Sequence, residues 1–182
     1  MKIIKKVLFT FFIVMLSFSA FGCGAGSEKN SDSRSEAAMT NFPKFNGKDV
    51  NGNPISSDIF KQNKLTLVNV WGTFCGPCLK ELPYLQQLQN EMKDKGLNVI
   101  GIVSDGEESK EEAIKILKKN NINFINIMPN KEIKEKLLIN LNAVPVTMLV
   151  DKDGNIVGEV LVGGRSKEQF ETIVEKQLNR LK

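Results

Sequence analysis

The chain predicts an α/β fold in which a central mixed sheet is flanked by helices. Three observations carry this expectation. Leu65 to Trp71 is a near-continuous β-rich run, as expected of a central strand buried on both faces. Strand-like and helical patterns then alternate toward the C-terminus, with capping boxes at Ser109-Lys110-Glu111-Glu112 and Ser166-Lys167-Glu168-Gln169. Val146 to Val150 and Ile156 to Val162 flank the turn Asp151-Lys152-Asp153-Gly154, an antiparallel hairpin that makes the sheet mixed.

With 182 residues, 41% of them apolar, the chain can form one domain plus attachments and bury a real core. The net charge of +4 falls to +1 once Lys2, Lys5 and Lys6 of the leader are set aside, so no nucleic-acid partner is implied. There are three cysteines and no histidine. Cys-His and Ser-His catalysis are therefore impossible within this chain, and a zinc site would need one cysteine pair plus carboxylates.

Residues 1–22 read as a signal peptide: a basic start, a largely apolar run from Val7 to Phe21, then small residues before Cys23. The run is short for a membrane span. Ala20-Phe21-Gly22-Cys23 resembles a lipobox, although leucine is commonest where Ala20 stands. Cys23 is thus expected to be lipidated and to anchor the chain to a bacterial cell membrane, with the domain on the extracytoplasmic side. Residues 23–41 are rich in Ser, Gly, Ala and charge and read as a flexible tether. The folded domain is expected over 42–182.

That domain opens with Phe45, Val50 and Ile55 around the turn-forming Asn51-Gly52-Asn53-Pro54, a short hairpin. The Leu65 to Trp71 strand follows, interrupted only by the polar Asn69. Leu79, Leu82, Leu85, Leu88 and Met92 then mark one helical face, and Gly96 is a natural C-terminal cap. Asn98 to Ser104 is the next strand. Ala113, Ile114, Ile116 and Leu117 give a helix from the Ser109 capping box to near Asn120; a short strand, Phe124 to Ile127, and a helix, Lys131 to Leu141, follow. After the hairpin, the final helix buries Phe170, Ile173, Val174, Leu178 and Leu181.

Between the first long strand and its helix stands Trp71-Gly72-Thr73-Phe74-Cys75-Gly76-Pro77-Cys78. A helix brings residues i and i+3 onto one face, so Cys75 and Cys78 can close a small disulfide across the first turn. Unpaired N–H groups and the positive end of the helix dipole gather at Cys75, which favours thiolate over thiol. Cys75 is the expected nucleophile and Cys78 the resolving thiol. Pro77 suits the first helical position, because its φ is already helical and its missing N–H is not needed there.

This stretch resembles the thioredoxin superfamily, and the likeness is wider than the dithiol. Trp71 precedes the nucleophile by four residues and Pro83 follows the second cysteine by five. Ala143-Val144-Pro145-Val146-Thr147 is similar to the cis-proline loop that faces the dithiol in that superfamily. Lys80-Glu81-Leu82-Pro83, the leader, and a helix-strand pair over residues 108 to 127 resemble the membrane-tethered TlpA/ResA-type thiol-disulfide oxidoreductases. The resemblance covers roughly Asn41 to the C-terminus.

It implies a thioredoxin-like fold with an N-terminal β-hairpin and an inserted helix-strand unit that widens the sheet. It also implies dithiol-disulfide exchange with disulfide-containing substrate proteins, with no metal or organic cofactor. Val144 and Pro145 would bind substrate, through a cis bond that leaves the Val144 backbone free to pair with an extended segment. Trp71 belongs with this substrate-binding group by position, though it reads first as a packing residue. Glu81 is either an acid favoured by the helix dipole or, as the resemblance implies, a catalytic neighbour that influences the acid-base behaviour of the dithiol. Asn69 stands where thioredoxins usually carry a buried aspartate that serves proton transfer, so that relay is not expected. Gly163-Gly164 reads as a turn or as part of the substrate groove.

Re-reduction by a membrane electron donor of the CcdA/DsbD kind follows from the same resemblance, and a monomer is expected. The Gly-Pro dipeptide between the cysteines matches thioredoxins, toward the reducing end of the scale, and favours a protein-disulfide reductase over a DsbA-like oxidant or isomerase. A structural staple across one helical turn would stabilise little. A peroxiredoxin would place threonine three residues before its cysteine, where Gly72 stands. A Sco-type copper chaperone would need a histidine. A lipoprotein binding module or holdase with incidental cysteines is the competitor from another class, and its binding would survive Cys75→Ser.

Overall fold

The computed structural model describes residues 39–181. Seven strands form one mixed sheet: β1 (Asn46–Asp49), β2 (Pro54–Ser56), β3 (Leu65–Trp71), β4 (Leu97–Val103), β5 (Ile125–Met128), β6 (Val146–Asp151) and β7 (Leu161–Val162). Their order is β2-β1-β5-β4-β3-β6-β7. The centre is parallel, β3 with β4 and β4 with β5, and both flanks are antiparallel. Among the described residues four α-helices accompany the sheet: α1 (Gly76–Met92), α2 (Gly106–Lys119), α3 (Lys131–Lys136) and α4 (Lys167–Arg180).

Alternation along the central strands divides the core in two. Leu65, Leu67 and Trp71 of β3 and Leu97, Val99 and Val103 of β4 face α1, α2 and α4. Val68, Val70, Ile100 and Ile102 face the opposite side, against α3 and the N-terminal segment. On that side Phe42, Phe45 and Phe60 pack edge to face, with ring centroids 5.2 to 6.4 Å apart. A sheet buried on both faces explains why β3 reads as an unbroken apolar run.

The N-terminal hairpin forms where the sequence places it, and β1 pairs with β5 as well as β2. Its turn is organised by Asp49, whose carboxylate accepts from the Asn51 and Asn53 amides at 2.8 Å each, while Gly52 takes φ +90°. The α2–β5 unit widens the sheet, since β5 joins the hairpin to β4. Chain pairing begins inside the stretch expected to be tether: Asn41 bridges Asn155, and the Ile156 amide donates to the Thr40 carbonyl. The stretch expected to be a signal peptide, Cys23 and the rest of the expected tether lie outside the described residues.

Three elements differ from the sequence reading by more than a one-residue shift. The capping box at Ser109 predicts a helix start there, but α2 begins at Gly106, and Ser109 sits at a kink within it (φ −123°, ψ 25°), its amide bonded to the Asp105 carbonyl. The helix expected over Lys131 to Leu141 ends at Lys136 and continues as a 3₁₀ turn, Leu138–Asn140. The strand expected over Ile156 to Val162 survives as β7 plus a single bridge at Ile156, because Gly158 turns to φ +79° and interrupts the extended run.

Candidate active site

β3 ends at the sheet edge where α1 begins, and the turn between them delivers the cysteines. Cys75 is the N-cap of α1, with extended backbone, and its Sγ accepts from the Cys78 amide at 3.2 Å. Cys75 and Cys78 are joined in a disulfide with Cα atoms 5.2 Å apart. Cys78 is fully buried and Cys75 retains 7% exposure, so the first cysteine is the one within reach of a partner. Gly76 opens the helix, which puts Pro77 second, still among the residues whose amides lack helical partners. Pro83 lies inside α1.

Across the site the Val144–Pro145 bond is cis, and the Val144 carbonyl oxygen lies 3.5 Å from Cys75 Sγ. The Pro145 carbonyl accepts from the Gly163 amide, which ties this loop to the end of β7. Gly163 has φ +88°, a turn conformation, while a Cβ on Gly164 would stand 3.5 Å from Pro77 Cβ and 3.6 Å from Glu81 Oε2. Gly163 thus forms the turn, and Gly164 lies over the start of α1.

Glu81 is one helical turn beyond Cys78 and is 1% exposed. Its Oε1 accepts from Asn69 Nδ2 at 2.7 Å and its Oε2 from the Arg165 amide at 3.1 Å. Burial pushes its carboxyl above the ordinary value, and the hydrogen bonds from Asn69 and Arg165 oppose this only in part. Asn69 also donates to Thr147 Oγ1 at 3.0 Å, and its own carbonyl oxygen is buried without a partner. Arg165 carries no signal in the sequence, and Thr147 is marked only as the end of the cis-proline stretch; β3–β6 pairing brings Thr147 to Asn69, and the β7–α4 connection brings Arg165 to Glu81.

Trp71 does not form part of an open substrate surface. It is fully buried, and its indole N–H donates to Asn126 Oδ1 at 2.8 Å. Odd-numbered residues of β3 face the helical layer, and the ring belongs to that core. Phe74, three residues further on and directly before Cys75, is 73% accessible.

A cysteine pair at a helix start, the first slightly exposed and the second buried behind it, with a backbone carbonyl alongside, is an arrangement suited to disulfide exchange. The class so defined is that of the thioredoxin-fold thiol-disulfide oxidoreductases. Residues 37–176 match the Redoxin family, and the chain belongs to that family, among its TlpA/ResA-type members. It is 30% identical over 179 residues to the thiol-disulfide oxidoreductase ResA of Bacillus anthracis, covering 94% of this chain and 96% of that one. It is 29% identical over 172 residues to ResA of a Bacillus cereus strain, with the same coverage. Among solved structures, a thioredoxin-family thiol:disulfide interchange protein from Chlorobium tepidum TLS superposes with a TM-score of 0.66 at 30% identity, over 79% of this chain and 99% of that one. The chain is a thiol-disulfide oxidoreductase, and disulfide-containing proteins are its substrates.

Proposed function

We propose that this enzyme is an extracytoplasmic protein-disulfide reductase, anchored through a lipidated Cys23 and kept reduced by a membrane electron donor of the CcdA/DsbD kind. The observation that carries the reading is the Cys75-Gly76-Pro77-Cys78 pair at the start of α1, with Cys75 against the Val144 carbonyl. Its Gly-Pro dipeptide favours the reducing direction, and the leader with Cys23 supports the location.

The Cys75 thiolate attacks one sulfur of a partner disulfide; a Cys75–partner bond forms and the partner's second sulfur leaves as thiolate. Cys78, once deprotonated, attacks Cys75 Sγ, closes the intramolecular disulfide and releases the partner's first sulfur. Two electrons pass from the dithiol to the partner, whose thiolates take up the protons. Glu81, with its raised carboxyl one turn from Cys78, assists that deprotonation. Val144 and Pro145 offer backbone to an extended substrate segment, and the protein acts as a monomer.

The test is the redox state of the pair in growing cells, read by acid quench and thiol alkylation. The reading expects Cys75 and Cys78 mostly reduced when the membrane donor is present and oxidised when it is deleted. A pair that is oxidised in both backgrounds would contradict it. Cys23→Ser should move the protein from the membrane fraction to the soluble one.

A further inference from the structure

The loop before the nucleophile is held from one side by a single carboxylate. The Thr73 amide donates to Asp105 Oδ1 at 3.1 Å and the Thr73 hydroxyl to Asp105 Oδ2 at 2.5 Å. Both side chains are half-buried. The contact follows from the parallel register of β3 and β4: Trp71 stands opposite Val103, so the residues two past each strand end, 73 and 105, leave the same sheet edge together.

Asp105 is the N-cap of α2, where an aspartate ordinarily accepts from its own helix's first amides. Here it makes no such bond. Its two oxygens are turned chiefly to the neighbouring loop, with its own amide and the Ser109 hydroxyl as lesser partners. Burial pushes its carboxyl up, but hydrogen bonds led by those from Thr73 outweigh this and hold it below the ordinary value, so the acceptor is a carboxylate at neutral pH. The same loop is tied again where the Ser104 amide donates to the Trp71 carbonyl at 2.7 Å. Between these ties and the nucleophile lies one turn, closed by the Cys75 amide on the Gly72 carbonyl at 3.1 Å.

We propose that Asp105 and Thr73 are positioning residues for disulfide exchange: the Asp105 carboxylate clamps Thr73 and thereby fixes the Gly72–Cys75 turn that aims Cys75 Sγ at the incoming disulfide. Neither residue touches the reacting sulfurs. The assignment rests on the reading of Cys75 as the attacking thiol. Its consequence is that the α2 unit, which widens the sheet, also sets the aim of the nucleophile through its first residue's neighbour.

The test compares the full chain with Asp105→Asn, Thr73→Val and Thr73→Ser. For each reduced protein one measures the second-order rate constant with a small aromatic disulfide at fixed pH, well below the melting temperature. Thr73→Val keeps the shape and loses the hydroxyl, whereas Thr73→Ser keeps the hydroxyl. The clamp predicts about a tenfold loss for Asp105→Asn and Thr73→Val, and a rate within about twofold of wild type for Thr73→Ser. Rates unchanged in Asp105→Asn and Thr73→Val, or an equal loss in both Thr73 variants, would overturn the assignment alone. A wild type that reacts with no disulfide would overturn the reading of Cys75 and this assignment with it.

Discussion

Asn69 Nδ2 lies 2.7 Å from Glu81 Oε1, and neither side chain has more than 1% of its surface in solvent. A carboxyl is thus held inside the core one helical turn from Cys78, hydrogen-bonded to the Asn69 side chain and the Arg165 amide. The arrangement gives Glu81 a raised proton affinity, with burial as its chief cause.

That shift makes stability depend on pH in a definite sense. The folded chain holds the Glu81 proton to higher pH than the unfolded chain does, so stability is highest below the unfolded value, falls as pH rises through the raised folded value, and levels off above it. Glu81→Gln should remove this component. Its stability relative to wild type should therefore increase as pH rises from about 4 to 8, measured by urea unfolding of the oxidised proteins. A difference that stays constant across the range would count against a raised Glu81.

The burial difference between the cysteines predicts an asymmetry. Cys75→Ser should abolish exchange and form no covalent partner complex, while Cys78→Ser should accumulate a mixed disulfide through Cys75. Non-reducing electrophoresis with a disulfide-bonded substrate such as insulin reads both. Mixed disulfide through Cys78 in Cys75→Ser would reverse the roles.

Much of this site is legible in the sequence because it is local. The Cys75–Cys78 spacing, the helix start and the strand before it lie within one stretch, and Pro145 stands out beside Val144. What the sequence hides is what depends on register across the sheet. Asp105 looks like an ordinary acid before a helix, and only β3–β4 pairing puts it against Thr73. Arg165 meets Glu81 through its amide, a contact with no side-chain signature. The capping box at Ser109 is genuine local preference, yet the helix gains its first turn from Gly106 and absorbs Ser109 as a kink. Position in the chain groups Trp71 with substrate contacts, whereas strand alternation turns it into the core.

Gly101 should tolerate no side chain. A Cβ there would collide with Asn126 Oδ1 and stand 3.0 Å from Trp71 Nε1, on the hydrogen bond between them. Gly101→Ala should destabilise by about 1–3 kcal/mol through overpacking. Urea unfolding followed by the fluorescence of Trp71, the sole tryptophan, would show it.

Asn126→Ala should cost about 1–3 kcal/mol for a different reason, because it leaves the buried indole N–H without an acceptor. The same unfolding measurement applies, and a neutral variant would show that water or a neighbour takes the Asn126 position.

The reductase assignment is tested most directly by the midpoint potential of the Cys75/Cys78 couple, followed by Trp71 fluorescence in a defined thiol-disulfide buffer. The account predicts a value near or below about −230 mV, with the dithiol a donor to oxidised partners. A value of about −120 to −180 mV would contradict it and make the enzyme an oxidant or isomerase.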